Sequence, residues 1–500
     1  MRRSISLRLI FNAMKKIFVK IAAGVAALSL SFTLFSCKGE AGGYTYDTAA
    51  DFREEEGEIF SDVPTGEYRG RVFNVLNAKT GLPSSKMDAE SLMGSTLNNA
   101  IYKRNRNVET RLNVVIKETR DTPENVYDIA CQSAMADEDV YGAVWNSASY
   151  MGAMAANGYL VSSDYLSQVA TEKPWWNEPV MEELSVDFQK YMLVGDLQLS
   201  YYDSHSMVGV NMELVSKING MYDPYSLVNN GTWTVGKMLE MMTMASGDTD
   251  GNGSLTYEDR YGAALDKTAV LPLMFGCNTN MSEKDEYDLP YITCINNEKF
   301  YDVYTLITQS MYQRSGNTYI VEDNPEDNMT DISMFKNENA LFIVTTVGEL
   351  EKLRSMDSEF GVLPMPKYSA EQQNYVSLLS GDDASVMGVL VSNRNFLRTS
   401  VIIENLAAES YREGGVRDTY VDSVLEFRYV NDTESRKNLK NILASGTFDL
   451  CQIYGWGNIP ETVVSESVAG SEKLTSTLNQ LQREANSEIA EFVRDLIEKD

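Results

Sequence analysis

The sequence predicts an α/β protein in two lobes, and three observations carry that expectation. A strand-like run at Arg71–Leu76, a helical stretch with Leu97, Ile101, Val108 and Leu112 on one face, and a second run at Val114–Ile116 follow one another as a βαβ unit, which implies a parallel sheet. Buried-strand candidates at Ala340–Val344, Gly361–Leu363 and Val386–Val391 then alternate with helical stretches at Val235–Ala245, Val401–Tyr411 and Lys473–Ile497. The chain has 500 residues, and its folded part, about 430 residues, exceeds what one ordinary core holds.

The first segment is a basic stretch, Lys15, Lys16 and Lys20, followed by the apolar run Ile21–Phe35 and then Cys37. That order is the pattern of a secretory signal, and the run is shorter than the ~20 residues a spanning helix needs. Leu34-Phe35-Ser36-Cys37 resembles the lipobox of bacterial lipoproteins, in which the cysteine is acylated after cleavage. Met14-Lys15-Lys16 already begins a complete signal, so Met14 is the expected start. Residues 1–36 are assigned to the signal, and 37–66 to a lipidated Cys37 with an acidic, flexible tether. No sustained apolar period interrupts that tether, and it contains Glu54-Glu55-Glu56. Order begins at Arg71. Further on, Pro364 and Pro366 stop the strand at Gly361–Leu363 and force an extended exit.

Charge and composition remove several function classes. The formal charge is −29, and losing the six basic residues of 1–36, which contain no acid, leaves −35. A chain this acidic lacks the clustered Lys and Arg that nucleic acid or anionic lipid requires, so membrane association is expected through the lipid anchor only. The single histidine, His205, leaves no multi-His metal site and one candidate base for a triad. Beyond Cys37 stand Cys131, Cys277, Cys294 and Cys451 with no C-x-x-C pair; they are expected as buried or unpaired thiols, with a Cys277–Cys294 bridge left open.

The most chemically specific segment is 248–259. Asp248, Asp250 and Asn252 occupy loop positions 1, 3 and 5, Gly253 the turn at position 6, Ser254 position 7, Thr256 position 9 and Asp259 position 12. Oxygen ligands at that spacing are those of a calcium loop, with a shorter aspartate at position 12 where glutamate is usual. A structural Ca²⁺ is the expected cofactor. Gly231–Lys237 imitates a phosphate-binding loop, but Met238 stands where the magnesium-holding hydroxyl belongs, so Thr232 or Thr234 is read as a helix cap.

Several segments taken in order resemble the extracellular solute-binding proteins of ABC importers, in the carbohydrate branch that includes maltose-binding protein. They are Asn98–Asn105 with Val108-Glu109 and Arg111–Val114; Pro174-Trp175-Trp176-Asn177; Val194-Gly195-Asp196; Gly209–Leu214; Gly231–Thr234 with the calcium-like loop and Arg260-Tyr261-Gly262; Phe360–Pro366; and Glu404–Ser410 through Phe448–Leu450. The resemblance spans nearly all of 67–460. It implies a type II periplasmic-binding-protein-like fold, with 67–200 plus 362–412 as lobe one, 201–361 plus 413–500 as lobe two, and ligand held in a cleft between them.

The function this resemblance implies is non-enzymatic: capture of a sugar or oligosaccharide by hinge closure and delivery to ABC permease subunits, by a monomer at the extracellular face of the cell membrane. A sugar presents an apolar ring face and a hydroxyl rim, so aromatic platforms and carboxylates are the expected site. Trp145, beside Asn146, and Trp456, in the region of the family's aromatic platform, are the stacking candidates. Asp196, Tyr202, Asp203, Thr346 and Asp382, near predicted crossings or strand ends, are the hydroxyl-binding candidates. The alternatives are a surface-anchored carbohydrate-active enzyme, which needs only two carboxylates, or a binder of a peptide or other polar solute.

Overall fold

The structure, a computed structural model, describes residues 63–499 except 90–93, 313–315, 322–324 and 470–472. The signal, Cys37 and nearly all of the tether lie outside the described residues.

The first sheet grows from the predicted βαβ unit. Strand β1 (Arg71–Ala78) leads through helix α1 (Thr96–Leu112) to β2 (Val114–Asp121), parallel to β1 with Arg71 opposite Val114. Ser95 caps α1 by accepting a hydrogen bond from the Asn98 amide at 3.2 Å, and Asn113 ends it in the left-handed region at φ 48°, which an Asn tolerates. The four apolar positions read from the sequence are all buried. Helix α2 (Pro123–Met135), capped by Thr122 with proline in its first turn, precedes β3 (Ala143–Ser147), which also pairs parallel with β1 and runs directly into α3 (Ala148–Ala156).

A single turn, α4 (Ser200–Asp203), then delivers the chain to the second sheet. Its members are β4 (Ser206–Asn211), β5 (Tyr261–Leu265), β6 (Thr318–Ile320), β7 (Ala340–Thr346) and β8 (Phe360–Leu363), in spatial order β8-β4-β7-β5-β6. Of these, β5, β6 and β7 are mutually parallel, while β4 runs against β7 and β8. Thr234 caps the helix at Val235–Ala245, and Trp233 is buried with its indole N–H donated to the Pro364 carbonyl at 2.9 Å, so the imitation phosphate loop is a helix start.

The return passes through β9 (Ser377–Leu378) to β10 (Ser385–Gly388), which lies antiparallel on β3 and completes the order β10-β3-β1-β2. Helix α5 (Phe396–Tyr411) starts five residues before the predicted Val401 because Asn395 caps it. It is tied to α1 by Arg111, which pairs with Glu409 and reaches Asn405 at 3.0 Å, and by the buried Arg104, 3.3 Å from Ser410. A short strand β11 (Gly446–Thr447) pairs parallel with β9. Beyond it α6 (Leu450–Tyr454) packs on α3. The stretch 413–500, expected wholly in lobe two, therefore reaches back onto the first lobe. Cys131, Cys277, Cys294 and Cys451 are buried and free, so no Cys277–Cys294 bridge forms.

Candidate ligand-binding groove

Parallel strands end on the same side of their sheet, and loops leaving those ends face whatever lies across. Here β1 ends at Ala78 and β5 and β7 end at Leu265 and Thr346, and their exits line two adjoining cavities of about 430 and 320 Å³. The cavities share Asp266, Thr268, Val344, Thr345, Thr346 and Asp383, so they form one groove. Thr80 and Leu82 come from the first sheet; Asp266, Asp331, Thr346 and Glu349 come from the second; Ser380, Asp382 and Asp383 come from the crossing between them.

Each lining group is placed by local chemistry. Asp266 caps the turn after β5, its carboxylate accepting from the Thr268 amide at 2.8 Å and hydroxyl at 2.7 Å. Asp331 opens a short helix capped by Thr330. Gly381 has no room for a side chain: a Cβ there would meet Gln452 Oε1 at 2.7 Å and Ser149 Oγ at 3.0 Å, so the crossing loop can run close beneath both. Asp203 lies on the floor, where it accepts hydrogen bonds from the hydroxyls of Ser84 and Tyr420, and burial pushes its carboxyl up to about 7.

The sequence-derived candidates separate sharply. Thr346 and Asp382 stand on the groove wall, and Asp203 beneath it. Asp196 and Tyr202 do not. They border a different cavity of about 470 Å³ with Trp175, Tyr411, Arg417 and Glu426. One turn of α4 divides the two spaces, since Ser200 and Asp203 face the groove while Tyr201 and Tyr202 face the other cavity. There Tyr202 donates to Asp196, whose carboxyl burial pushes up to about 7 despite Arg417 at 3.8 Å.

Both stacking candidates are core residues. Trp145 is the central residue of β3, 3% exposed, and Asn146 spends its amide on the Pro123 carbonyl at 2.8 Å, fastening the start of α2. Trp456, also 3% exposed, stacks on Tyr454 at 5.1 Å and tilts against Phe492 at 5.7 Å. Among the described residues, no aromatic side chain lines the groove. Trp175 and Trp176 are structural too: both indoles donate to buried Glu404, at 3.0 and 2.9 Å. His205 is fully buried, and desolvation holds its pKa down at about 4, so it stays neutral and is no base for catalysis.

Sequence reasoning missed Thr80, Asp266, Asp331, Glu349, Asp383 and Glu461. For Asp266 a signal existed in the polar residue that ends the run Tyr261–Leu265, but Gly262, Ala263 and Ala264 have weak strand propensity and hid the strand. Away from the groove, carboxylate oxygens of Asp248, Asp250 and Asp259 converge within 4.8 Å of one another. Amides of Gly251 and Gly253 bond to Asp248, and those of Thr249 and Thr256 to Asp259, which keeps these acids ionised and aimed inward. Three convergent carboxylates with further lone pairs fit a hard divalent cation.

No family model matches the chain, and no curated protein matches it by sequence. Its structure, however, is similar to many solved ones. An ABC substrate-binding protein of Listeria monocytogenes in complex with cycloalternan superposes with a TM-score of 0.54 at 13% identity, covering 84% of this chain and 99% of the other. A sugar transporter of Rhizobium etli in an open conformation gives 0.56 at 11% identity, covering 85% and 99%. UgpB of Mycobacterium tuberculosis in complex with glycerophosphocholine gives 0.53 at 13%, covering 82% and 99%.

Proposed function

The fold being that of type II periplasmic binding proteins, we propose that the chain is an extracellular solute-binding protein that captures a sugar or oligosaccharide and delivers it to an ABC permease. The observation that carries this reading is the groove itself, set where the parallel strands of two sheets end and spanned by paired crossing segments. Those crossings are knit together: the Ser206 hydroxyl donates to the Leu378 carbonyl at 2.7 Å, the Ser377 hydroxyl donates to the Ser206 carbonyl at 2.9 Å, and the Leu379 amide donates to the Thr447 carbonyl at 2.9 Å. Crossing segments of this kind let a small set of backbone dihedrals carry lobe closure. Ligand that touches both walls then favours the closed form by its extra contacts there. Thr346, Asp382, Asp383 and Asp266 are the groups that meet hydroxyls, and structural neighbours solved with oligosaccharides support that ligand class. Cys37 carries the lipid that holds the protein at the outer face of the membrane.

Isothermal titration with a broad panel of mono- and oligosaccharides tests the reading, with saturable heat expected from at least one member; silence across the panel would sink it. Mass analysis of the recovered ligand separates receptor from enzyme, since a receptor returns it uncleaved. The loop 248–259 holds calcium through Asp248, Asp250, Asn252, Ser254, Thr256 and Asp259, where the ion stiffens the segment entering β5 and takes no part in ligand chemistry.

A further inference from the structure

The groove differs from two other cavities among the described residues in the sign of its lining. The cavity beside Trp175 sets Arg417 and Lys440 against Asp196, Asp422 and Glu426, and a third, of about 620 Å³, sets Lys103, Arg104 and Arg412 against Glu409 and Glu413. In the groove the charged side chains among the described residues are Asp203, Asp266, Asp331, Glu349, Asp382, Asp383 and Glu461, with no Lys, Arg or His. Asp203 is already satisfied by Ser84 and Tyr420. Glu349 has Lys352 at 2.6 Å, but that ammonium stands outside the lining. Asp331 and Asp383 each face two other acids. The Asp331 carboxyl is raised by burial and then by Asp266 and Glu349, against a smaller opposing pull from Lys352, and that of Asp383 by burial and then by Asp382 and Glu349.

An overall acidic surface does not explain this, because the same surface places cations in those two cavities. Nor does a neutral sugar complement it well. Hydroxyls can donate to carboxylates, but they leave the mutual repulsion of the acids in place, and lobe closure packs those acids closer in a medium of lower dielectric. The groove also lacks the ring that a neutral sugar face would stack upon; Tyr150, which senses Asp382, sits 5.5 Å from Tyr127 outside the lining. A protonated amine removes the repulsion and forms charge-assisted hydrogen bonds, while Thr268, Thr345, Thr346, Ser206 and Ser380 remain for hydroxyls.

Resting on the saccharide reading, we propose that the groove selects an amino sugar, as a single residue or a short oligosaccharide bearing free protonated amines, over a neutral sugar of the same shape. The test is isothermal titration of the mature chain with three ligands of matched length, a glucosamine oligomer, its fully N-acetylated counterpart and a maltooligosaccharide, with spermidine as a hydroxyl-free cation. The glucosamine oligomer is expected to bind at least about tenfold more tightly than either neutral oligomer, and to weaken as salt rises. Asp383→Asn and Glu461→Gln are expected each to lose roughly tenfold for the amine and far less for the acetylated form, with unliganded melting temperatures as the check on folding. Equal or tighter binding of a neutral oligomer overturns the amino-sugar proposal and leaves the saccharide receptor standing. Binding of spermidine alone, or of nothing in the panel, overturns both.

Discussion

At the scale of single residues, burial decides which polar and aromatic groups meet a ligand. Trp145 has the chemistry of a sugar platform, yet it lies inside a strand covered by helices, with its indole N–H buried and without a hydrogen-bond partner. Replacing it by phenylalanine keeps most of the volume and removes that N–H, so Trp145→Phe should unfold in urea within about 1 kcal/mol of the parent, whereas Trp145→Ala should cost ~3–5 kcal/mol. Ligand affinity should survive the phenylalanine substitution, since the ring reaches no part of the groove. Asp382 supplies the contrast: Asp382→Ala should reduce affinity by more than about tenfold, near the 1.5–3 kcal/mol of a hydrogen bond to a charged group, with little change in stability because the residue is exposed. An unchanged dissociation constant would remove Asp382 from the site.

At the scale of elements, local sequence and local structure agree where one segment can satisfy itself. The helix at Val235–Ala245 spans the predicted residues because its apolar period and its Thr234 cap lie within the same stretch. The loop at 248–259 is equally self-contained, its carboxylates aimed by amides no more than ten residues away. Calcium added at a hundredfold over its dissociation constant should stabilise the protein by about 2.7 kcal/mol, read as a rise in melting temperature that Asp259→Ala abolishes. Magnesium, which prefers a rigid octahedron and keeps its waters, should give a smaller rise. By contrast Val386–Val391 read as one strand, but hydrogen bonding to β3 ends at Gly388, opposite Val144. A partner strand set that limit, and no property of the segment itself could reveal it.

At the scale of the whole molecule, buried acids tie stability to pH. Asp196, Asp203 and Glu404 have ordinary values of 3.8, 3.8 and 4.5 and are each pushed by burial up to about 7. The folded chain therefore holds more protons than the unfolded one between about pH 4 and 7, and stability falls as pH rises through that window. His205 opposes this, since its buried ring is held down from 6.5 to about 4 and favours stability rising with pH over that narrower range. Three groups outweigh one, and the net charge of −29 adds repulsion in the same direction as the acids. The urea midpoint should therefore be higher near pH 5 than near pH 7.5; the reverse order would mean that these carboxyls stay ionised when folded. The proposed lobe closure belongs to this scale as well, and X-ray scattering should show a smaller radius of gyration when the groove is filled.

From the sequence alone came the α/β class, the βαβ unit, a helix cap at Thr232 or Thr234 and the ligand spacing of 248–259, because each lies within one continuous stretch of chain. Asp382 and Thr346 were also legible, as polar residues beside a predicted crossing and a buried strand. What only the tertiary structure decided was the company those residues keep. Asp266, Glu349 and Asp383 are separated by up to 117 positions in the chain yet share one groove, while Tyr202 and Asp203 are neighbours in sequence and face different cavities across a helical turn. A helix rotates successive side chains by about 100°, and a sheet gathers the ends of distant strands, so which acids meet across a gap is set by packing that no single segment contains.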